Sequence, residues 1–265
     1  MSITRFSVIG FIAIFSTVLS TSANAPIVVD SRIYEQSIKA YSNGSLVQPD
    51  QLQDEGKGIV KIFRPRNRRY GALEMISLLE YTAAELEVLY PKMDRLQVGD
   101  IAQEKGGKIS GHDSHTNGLD ADVAYFRTDL QEIDPKQVKG FFLNDKHLSY
   151  VTADGKGVTA DFDVERNFKF IELLYSSNVL GRIFMDAAIK RTFCEYTKAM
   201  GTYKQSIELL RKLRPWPHHD DHMHIRVDCP TNSKRCVKQD PIPDGSGCEE
   251  PIVNPSLSFV HADAC

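Results

Sequence analysis

The chain has no surplus of positive charge, no long apolar run beyond its first 25 residues, no internal repeat and no low-complexity block. Lys and Arg number 32 against 35 Asp and Glu, a formal net charge of −3. Nucleic-acid binders usually display a basic footprint, so nucleic acid is not an expected partner. Nothing past the N-terminus approaches the ~20 apolar residues that span a bilayer, so no stable membrane anchor is expected. A regular βαβ rhythm is missing as well, which favours an α+β fold over a doubly wound parallel sheet. Cysteine is sparse and odd in number: Cys194, Cys229, Cys236, Cys248 and Cys265. At least one is therefore free or paired between chains, and spacing alone leaves every pairing of the other four open.

At the N-terminus, Arg5 precedes the apolar stretch "FSVIGFIAIF" and the small residues "STSANA". That is the layout of a secretory signal peptide. The Ala23–Ala25 motif places cleavage after Ala25, or after Ala23 because Pro26 follows the later site. Residues 1–25 are thus expected to be removed, leaving a mature domain over 26–228 and an extension over 229–265. Export also makes disulfides plausible. The extension is rich in Pro, Gly, Asp and Ser, lacks sustained periodicity and holds four of the five cysteines. It reads as an irregular tail stapled onto the domain.

Along the body, residues 26–70 are mixed and turn-rich. Residues 73–90 carry apolar positions at three- and four-residue intervals without Gly or Pro, which predicts a helix. "RLQVGDIAQ" reads as a strand and "KGGKISGH" as a glycine-rich loop. Helices are predicted over 162–176, over "AAIKRTFCEYTKAM" and over "KQSIELLRKLR", the last stopped by Pro215 and Pro217. "GRIFMD" reads as a short buried strand.

Histidine is concentrated. Of eight, His112 and His115 fall in "SGHDSHTNGLDADVAYF", and His218, His219, His222 and His224 in "RPWPHHDDHMHIRVDCP". The first segment alternates, with Leu119, Ala121 and Val123 on one side and Asp120 and Asp122 on the other. The second does likewise, with Met223, Ile225 and Val227 opposed to His222, His224 and Arg226. Both predict half-buried strands whose wet faces carry metal-type ligands. A catalytic zinc site takes three protein ligands and keeps one position open for water, whose pKa falls to about 7 on the metal. His115, Asp122 and one histidine of the His222-x-His224 pair form such a set. Spacing alone does not say which of the pair is the ligand.

"GHDSHTNGLDADV" and "RPWPHHDDHMHIRVDCP" resemble the signatures of penicillin-insensitive murein endopeptidases, which belong with D-Ala-D-Ala carboxypeptidases and lysostaphin among zinc peptidases and have Sonic hedgehog as a relative. The likeness extends through "QVGD", the "GG" loop, "IFMDAAIK" and the cysteine-bearing tail. It implies a small antiparallel sheet core carrying the zinc site, flanked by helices. It further implies that His115, Asp122 and His224 hold one Zn2+, that His222 is the active-site base or transition-state stabiliser, and that His219 assists. The implied reaction is hydrolysis of D-Ala–diaminopimelate cross-links of peptidoglycan in the periplasm, without a serine for β-lactams to acylate. A D,D-carboxypeptidase on the same scaffold, or a non-catalytic periplasmic zinc or cell-wall binding protein, is the alternative.

Two departures from the family pattern stand out. Its second zinc, at a subunit contact, uses a histidine at the position of His112 and a D-x-x-H element; here Asp154 matches but Gly157 replaces the histidine. A second metal on His112 and Asp154, and a homodimer built on it, are correspondingly weakened. An early family cysteine is Ser45 here. The resemblance therefore implies bridges Cys229–Cys236 and Cys194–Cys248, with Cys265 left unpaired. Arg68, Arg69 and Tyr70 also match a family stretch and are candidates to approach the acidic peptide stem, or an ordinary basic turn.

Overall fold

The computed structural model describes residues 26–27, 30, 32–249 and 251–255. The leader expected over 1–25 and Cys265 lie outside the described residues. Within them, the two alternating histidine-motif segments become adjacent central strands, Asp120–Ala124 and His222–Val227, of a seven-stranded sheet. From one edge to the other the strands run Leu213–Pro215, Leu180–Met185, His222–Val227, Asp120–Ala124, Leu96–Val98, Ile59–Lys61 and Glu55–Gly56.

The fold is α+β, as its sequence pattern implies, but the sheet is mixed rather than purely antiparallel. Ile59–Lys61 runs parallel to Leu96–Val98, and Leu180–Met185 parallel to Leu213–Pro215. Parallel neighbours need a long crossover. Helix α1 (Leu73–Leu89) lies in the first connection, and α3 (Ala187–Ala199) and α4 (Ile207–Lys212) lie in the second. Both crossovers are hidden in the sequence, because Ile59–Lys61 sits in a turn-rich stretch and Leu213–Pro215 continues a helical pattern.

Three of the four described α-helices begin where a polar side chain takes up a free N–H group. Gln36 Oε1 accepts from the Leu73 N–H at the head of α1. Asp163 accepts from the Arg166 N–H of α2 (Val164–Tyr175), and Asp186 from the Ala188 N–H of α3. Helix α2 packs against α1, α3 and α4. The apolar sides of the two motif strands (Leu119, Ala121, Val123, Met223, Ile225 and Val227) join these helices in one buried cluster. Removal of apolar surface from water at about 25 cal/mol per Å2 is what drives this packing.

The opposite side of the central strands is not wet. Asp120, Asp122, His224 and Arg226 are all buried. Charged groups tolerate burial when paired and hydrogen-bonded, and these are paired with one another. Tyr41 covers part of this side, its ring 4.2 Å from the Arg226 guanidinium carbon and its hydroxyl donating to the Val227 carbonyl.

After residue 228 the described chain has neither helix nor extended strand. It is stapled as the family resemblance implies, by Cys229–Cys236 and Cys194–Cys248. The small loop docks on the N-terminal segment, where the Lys39 N–H donates to the Arg235 carbonyl at 2.8 Å and the Val237 N–H to the Lys39 carbonyl at 3.0 Å.

Candidate metal centre

Antiparallel register sets His224 opposite Asp122 and Arg226 opposite Asp120. Directly opposed side chains on one face lie close enough to interact. The third contributor arrives from the loop before Asp120. His115 has φ 62°, a left-handed conformation uncommon for a residue with a Cβ, and its N–H donates to Asp120 Oδ2 at 3.1 Å. Three residues on, Gly118 also has positive φ, and a Cβ there would meet the Leu46 side chain and the Ala72 backbone. The glycine of the H-x-x-G pattern thus lets the loop close against the domain.

The side chains converge on Asp122. Its Oδ1 lies 3.2 Å from His115 Nε2, 3.3 Å from His224 Nδ1 and 3.5 Å from His222 Nε2, while its Oδ2 lies 3.6 Å from His112 Nδ1. Tetrahedral ligation with bonds near 2.0–2.1 Å sets ligand atoms about 3.3 Å apart, which the first two distances match. His115 Nε2 and Asp122 Oδ1 are both buried without a hydrogen-bond partner. Buried polar atoms rarely go unpaired, so these two could serve as ligand atoms for a cation. One donor atom each from His112, His115 and Asp122 falls within a 4.8 Å cluster able to bind a metal ion.

Each imidazole has its far nitrogen occupied. His115 Nδ1 lies 2.7 Å from the Ile101 carbonyl, which accepts its proton and leaves Nε2 as a lone pair. His224 Nε2 lies 3.0 Å from Asp120 Oδ1, leaving Nδ1 directed at Asp122. His112 Nε2 lies 3.1 Å from Asp100 Oδ2. Metal-binding histidines are characteristically oriented by such outer partners. Asp120 is in turn held by Arg226 Nε at 2.6 Å, and Asp100 by Arg66 and Arg68 at 2.7 and 2.9 Å.

His222 is set differently. Its Nδ1 is hydrogen-bonded to Asp221, and its Nε2 faces Asp122 from the longest of the three Oδ1 distances. His219 is buried beside it, ring centroids 4.9 Å apart, with its Nδ1–H donating to the Pro217 carbonyl at 2.8 Å. The site therefore gathers His115, Asp122, His224, His222, His219 and also His112. Asp154 is elsewhere, on an exposed turn where its carboxylate accepts from the Thr152 hydroxyl and the Lys156 N–H. Of the basic run, Arg68 is taken up by Asp100 and Ser110, and Arg69 by Asp54. Asp100, Asp120 and Asp221 escaped the sequence reading as orienting groups. Asp100 was signalled only by its place in "QVGD", and Asp221 only by adjacency to His222.

Electrostatics follow from this crowding. Burial raises the Asp122 carboxyl, but His115, His222 and His112 outweigh it and hold the group well below the usual carboxylate range. Burial opposes ionisation of Asp120 as well, and is overcome by Arg226 and His224. For Asp100, His112 and Arg66 prevail over burial and bring it to about 2. Burial lowers His222, yet Asp122 and Asp221 push it up to about 10. Burial and the neighbouring His222 and His224 put His219 well below its ordinary value. A cation entering here displaces protons from imidazole, so its affinity must fall in acid.

Imidazole nitrogens and a carboxylate oxygen around one buried point could hold a metal ion, and donor sets of this kind occur in metal-dependent hydrolases. Comparison with known proteins narrows this class. A family model described as penicillin-insensitive murein endopeptidase matches residues 37–256, and the chain belongs to that family. It is 31% identical over 218 residues to the penicillin-insensitive murein endopeptidase of Haemophilus influenzae, covering 81% of this chain and 71% of the relative. Identity to the proteins of that name in Escherichia coli strain K12 and in Shigella sonnei is 32% over 215 residues, covering 80% of this chain and 73% of each relative. No helix among the described residues is long and apolar enough to cross a membrane.

Proposed function

We propose that the chain is a zinc-dependent D,D-endopeptidase that hydrolyses D-Ala–diaminopimelate cross-links of peptidoglycan in the periplasm, after removal of residues 1–25 as a signal peptide. In this reading residues 26–228 form the peptidase domain and 229–265 a stapled extension. The observation that carries it is the pair of buried, unpartnered donors, His115 Nε2 and Asp122 Oδ1, with His224 Nδ1 completing the set. When bound, the ion supplies a Lewis acid for the scissile carbonyl and makes hydroxide accessible near neutral pH.

The chain's own residues do the rest. His115, Asp122 and His224 fix the ion, with Asp120 and the Ile101 carbonyl fixing the two rings. Asp122 is the strongest influence holding a proton on His222, and an ion held by Asp122 would offset that pull; His222, whose Nε2 faces this point, then takes a proton from the attacking water and returns it to the leaving amine. His219, held toward its neutral form with its Nδ1–H on the Pro217 carbonyl, assists by packing beside the His222 ring. No serine acyl-enzyme forms, which accounts for indifference to penicillin. A second metal is not part of the proposal, since Gly157 stands where the family pattern has its histidine and Asp154 is engaged in its own turn.

The test is incubation of the mature protein with cross-linked and uncross-linked muropeptides, with and without chelator. Conversion of dimers to monomers, abolished by chelator and restored by zinc, is expected. Release of D-Ala from monomers alone would make the protein a carboxypeptidase. No product under zinc-replete conditions would make it a binding protein.

A further inference from the structure

His222 is gripped by a segment that neither histidine motif includes. Phe142–Leu143 pairs antiparallel with Lys146–His147 as a small hairpin. Phe141, immediately before it, lies flat on the His222 imidazole, with ring centroids 4.5 Å apart and planes 6° apart. Phe141 is itself buried and braced edge-on by Phe63 at 5.1 Å. From the far end of the hairpin, the half-exposed His147 brings Nε2 to within 2.9 Å of Asp221 Oδ2, while Asp221 Oδ1 engages His222 Nδ1. The Tyr150 N–H, donating to the Asp220 carbonyl at 2.8 Å, ties the segment after the hairpin to the histidine loop.

These contacts remove different freedoms of the ring. Stacking on Phe141 fixes its plane but not which edge faces Asp122. A half-turn about Cβ–Cγ keeps the plane and exchanges Nδ1 with Cδ2 and Nε2 with Cε1, which would leave a carbon at the reacting edge. The bond to Asp221 forbids that half-turn and keeps a proton on Nδ1, so that in the neutral ring it is Nε2 that offers the lone pair. His147 holds the second carboxylate oxygen and keeps Asp221 from swinging away.

We propose that Asp221 is the positioning residue for His222, and that Phe141 and His147 of the 141–147 hairpin complete the clamp. This rests on the reading of His222 as the catalytic base. None of the three supplies a donor at the candidate metal position, so loosening the clamp reduces turnover and leaves metal binding in place.

The test uses zinc-loaded mature protein and the variants Asp221→Ala, Asp221→Asn, His147→Ala, Phe141→Leu and His222→Ala. It measures kcat and KM on cross-linked muropeptide dimers, bound zinc, and the imidazole 15N signals of His222. In Asp221→Ala, kcat is expected to fall roughly 10–100-fold, the range for loss of an orienting partner, with KM and zinc content unchanged. Asp221→Asn, whose amide oxygen still accepts from Nδ1–H, recovers part of that loss. The His222 spectrum shifts from one Nδ1–H tautomer to a mixture in Asp221→Ala and returns in Asp221→Asn. Wild-type kcat with an unchanged spectrum in Asp221→Ala overturns the proposal, as does equal loss of zinc and activity in the Ala and Asn variants. If His147→Ala and Phe141→Leu retain the wild-type kcat and spectrum, the hairpin has no part in the clamp. Full activity of His222→Ala refutes the catalytic reading itself, while the spectra still decide whether Asp221 sets the tautomer.

Discussion

Replacing Asp120 by Asn changes no shape and should nonetheless be severe. Asp120 Oδ1 accepts from His224 Nε2 at 3.0 Å and Arg226 Nε at 2.6 Å, and Oδ2 accepts from Arg226 Nη2 at 3.2 Å and the His115 N–H at 3.1 Å. Donors face both oxygens, so either orientation of the amide sets its NH2 against a pair of them. The substitution also strips the buried Arg226 guanidinium of this counter-charge. Breaking a buried ion pair from one side typically costs about 3–5 kcal/mol, which for a domain of this size lowers Tm by about 6–20 °C. His224 can relieve the clash only by moving its proton to Nδ1, the atom proposed to ligate. Metal affinity should therefore drop as well, roughly 10–100-fold. Calorimetry of chelated protein measures the first effect, and competition with a chromogenic chelator the second. Stability within about 1 kcal/mol of wild type, together with unchanged affinity, would refute the idea that Asp120 orients His224 and balances Arg226.

Other outcomes follow from the same structure. Lys61 is fully buried, and burial pushes its ammonium down to about 7 from 10.5. The unfolded chain then binds more protons between those values, so this group makes stability rise with pH across that window; Lys61→Met should remove that slope in urea titrations at pH 7 to 10, and an unaltered slope would show that the ammonium is not perturbed. Gly106 has φ +66°, and a Cβ there would stand 2.2 Å from the Thr116 carbonyl oxygen, so Gly106→Ala should destabilise by more than about 1 kcal/mol, read as a lower midpoint in denaturant. Removing the Cys194–Cys248 bridge by double substitution to Ala should reduce stability by about 2–4 kcal/mol, and an unchanged unfolding midpoint would mean that the tail does not constrain the domain. Peptide mapping of non-reduced, alkylated protein should find Cys265 alone modified or linked between chains; an intrachain bridge to Cys265 contradicts the pairing.

Much of the site was legible in the sequence because strand alternation is local. Two short runs, 119–124 and 222–227, reveal by period alone which side chains share a face. What lies across the sheet is not local. The register that pairs Arg226 with Asp120 and His224 with Asp122 depends on hydrogen bonding between segments about a hundred residues apart. For that reason the face read as wet is in fact buried, and Asp120, seen only as a carboxylate on it, is the hub that orients a ring. Leu213–Pro215 was unreadable as a strand for a related reason: its pairing with Leu180–Met185, rather than its own composition, makes it one. His112 reads from the resemblance as a ligand of a second metal at a subunit contact; its nearness to the Asp122 carboxylate, Nδ1 to Oδ2 3.6 Å, is not legible from spacing.

The central claim is that His115, Asp122 and His224 hold a catalytic zinc that His222 serves without holding. Zinc stoichiometry by elemental mass spectrometry, measured on mature wild-type protein and on the four single alanine variants after exhaustive dialysis, tests it directly. The account predicts one zinc in wild type and in His222→Ala, the latter without turnover, and little or none in His115→Ala, Asp122→Ala and His224→Ala. An empty His222→Ala beside a fully loaded His224→Ala would contradict it.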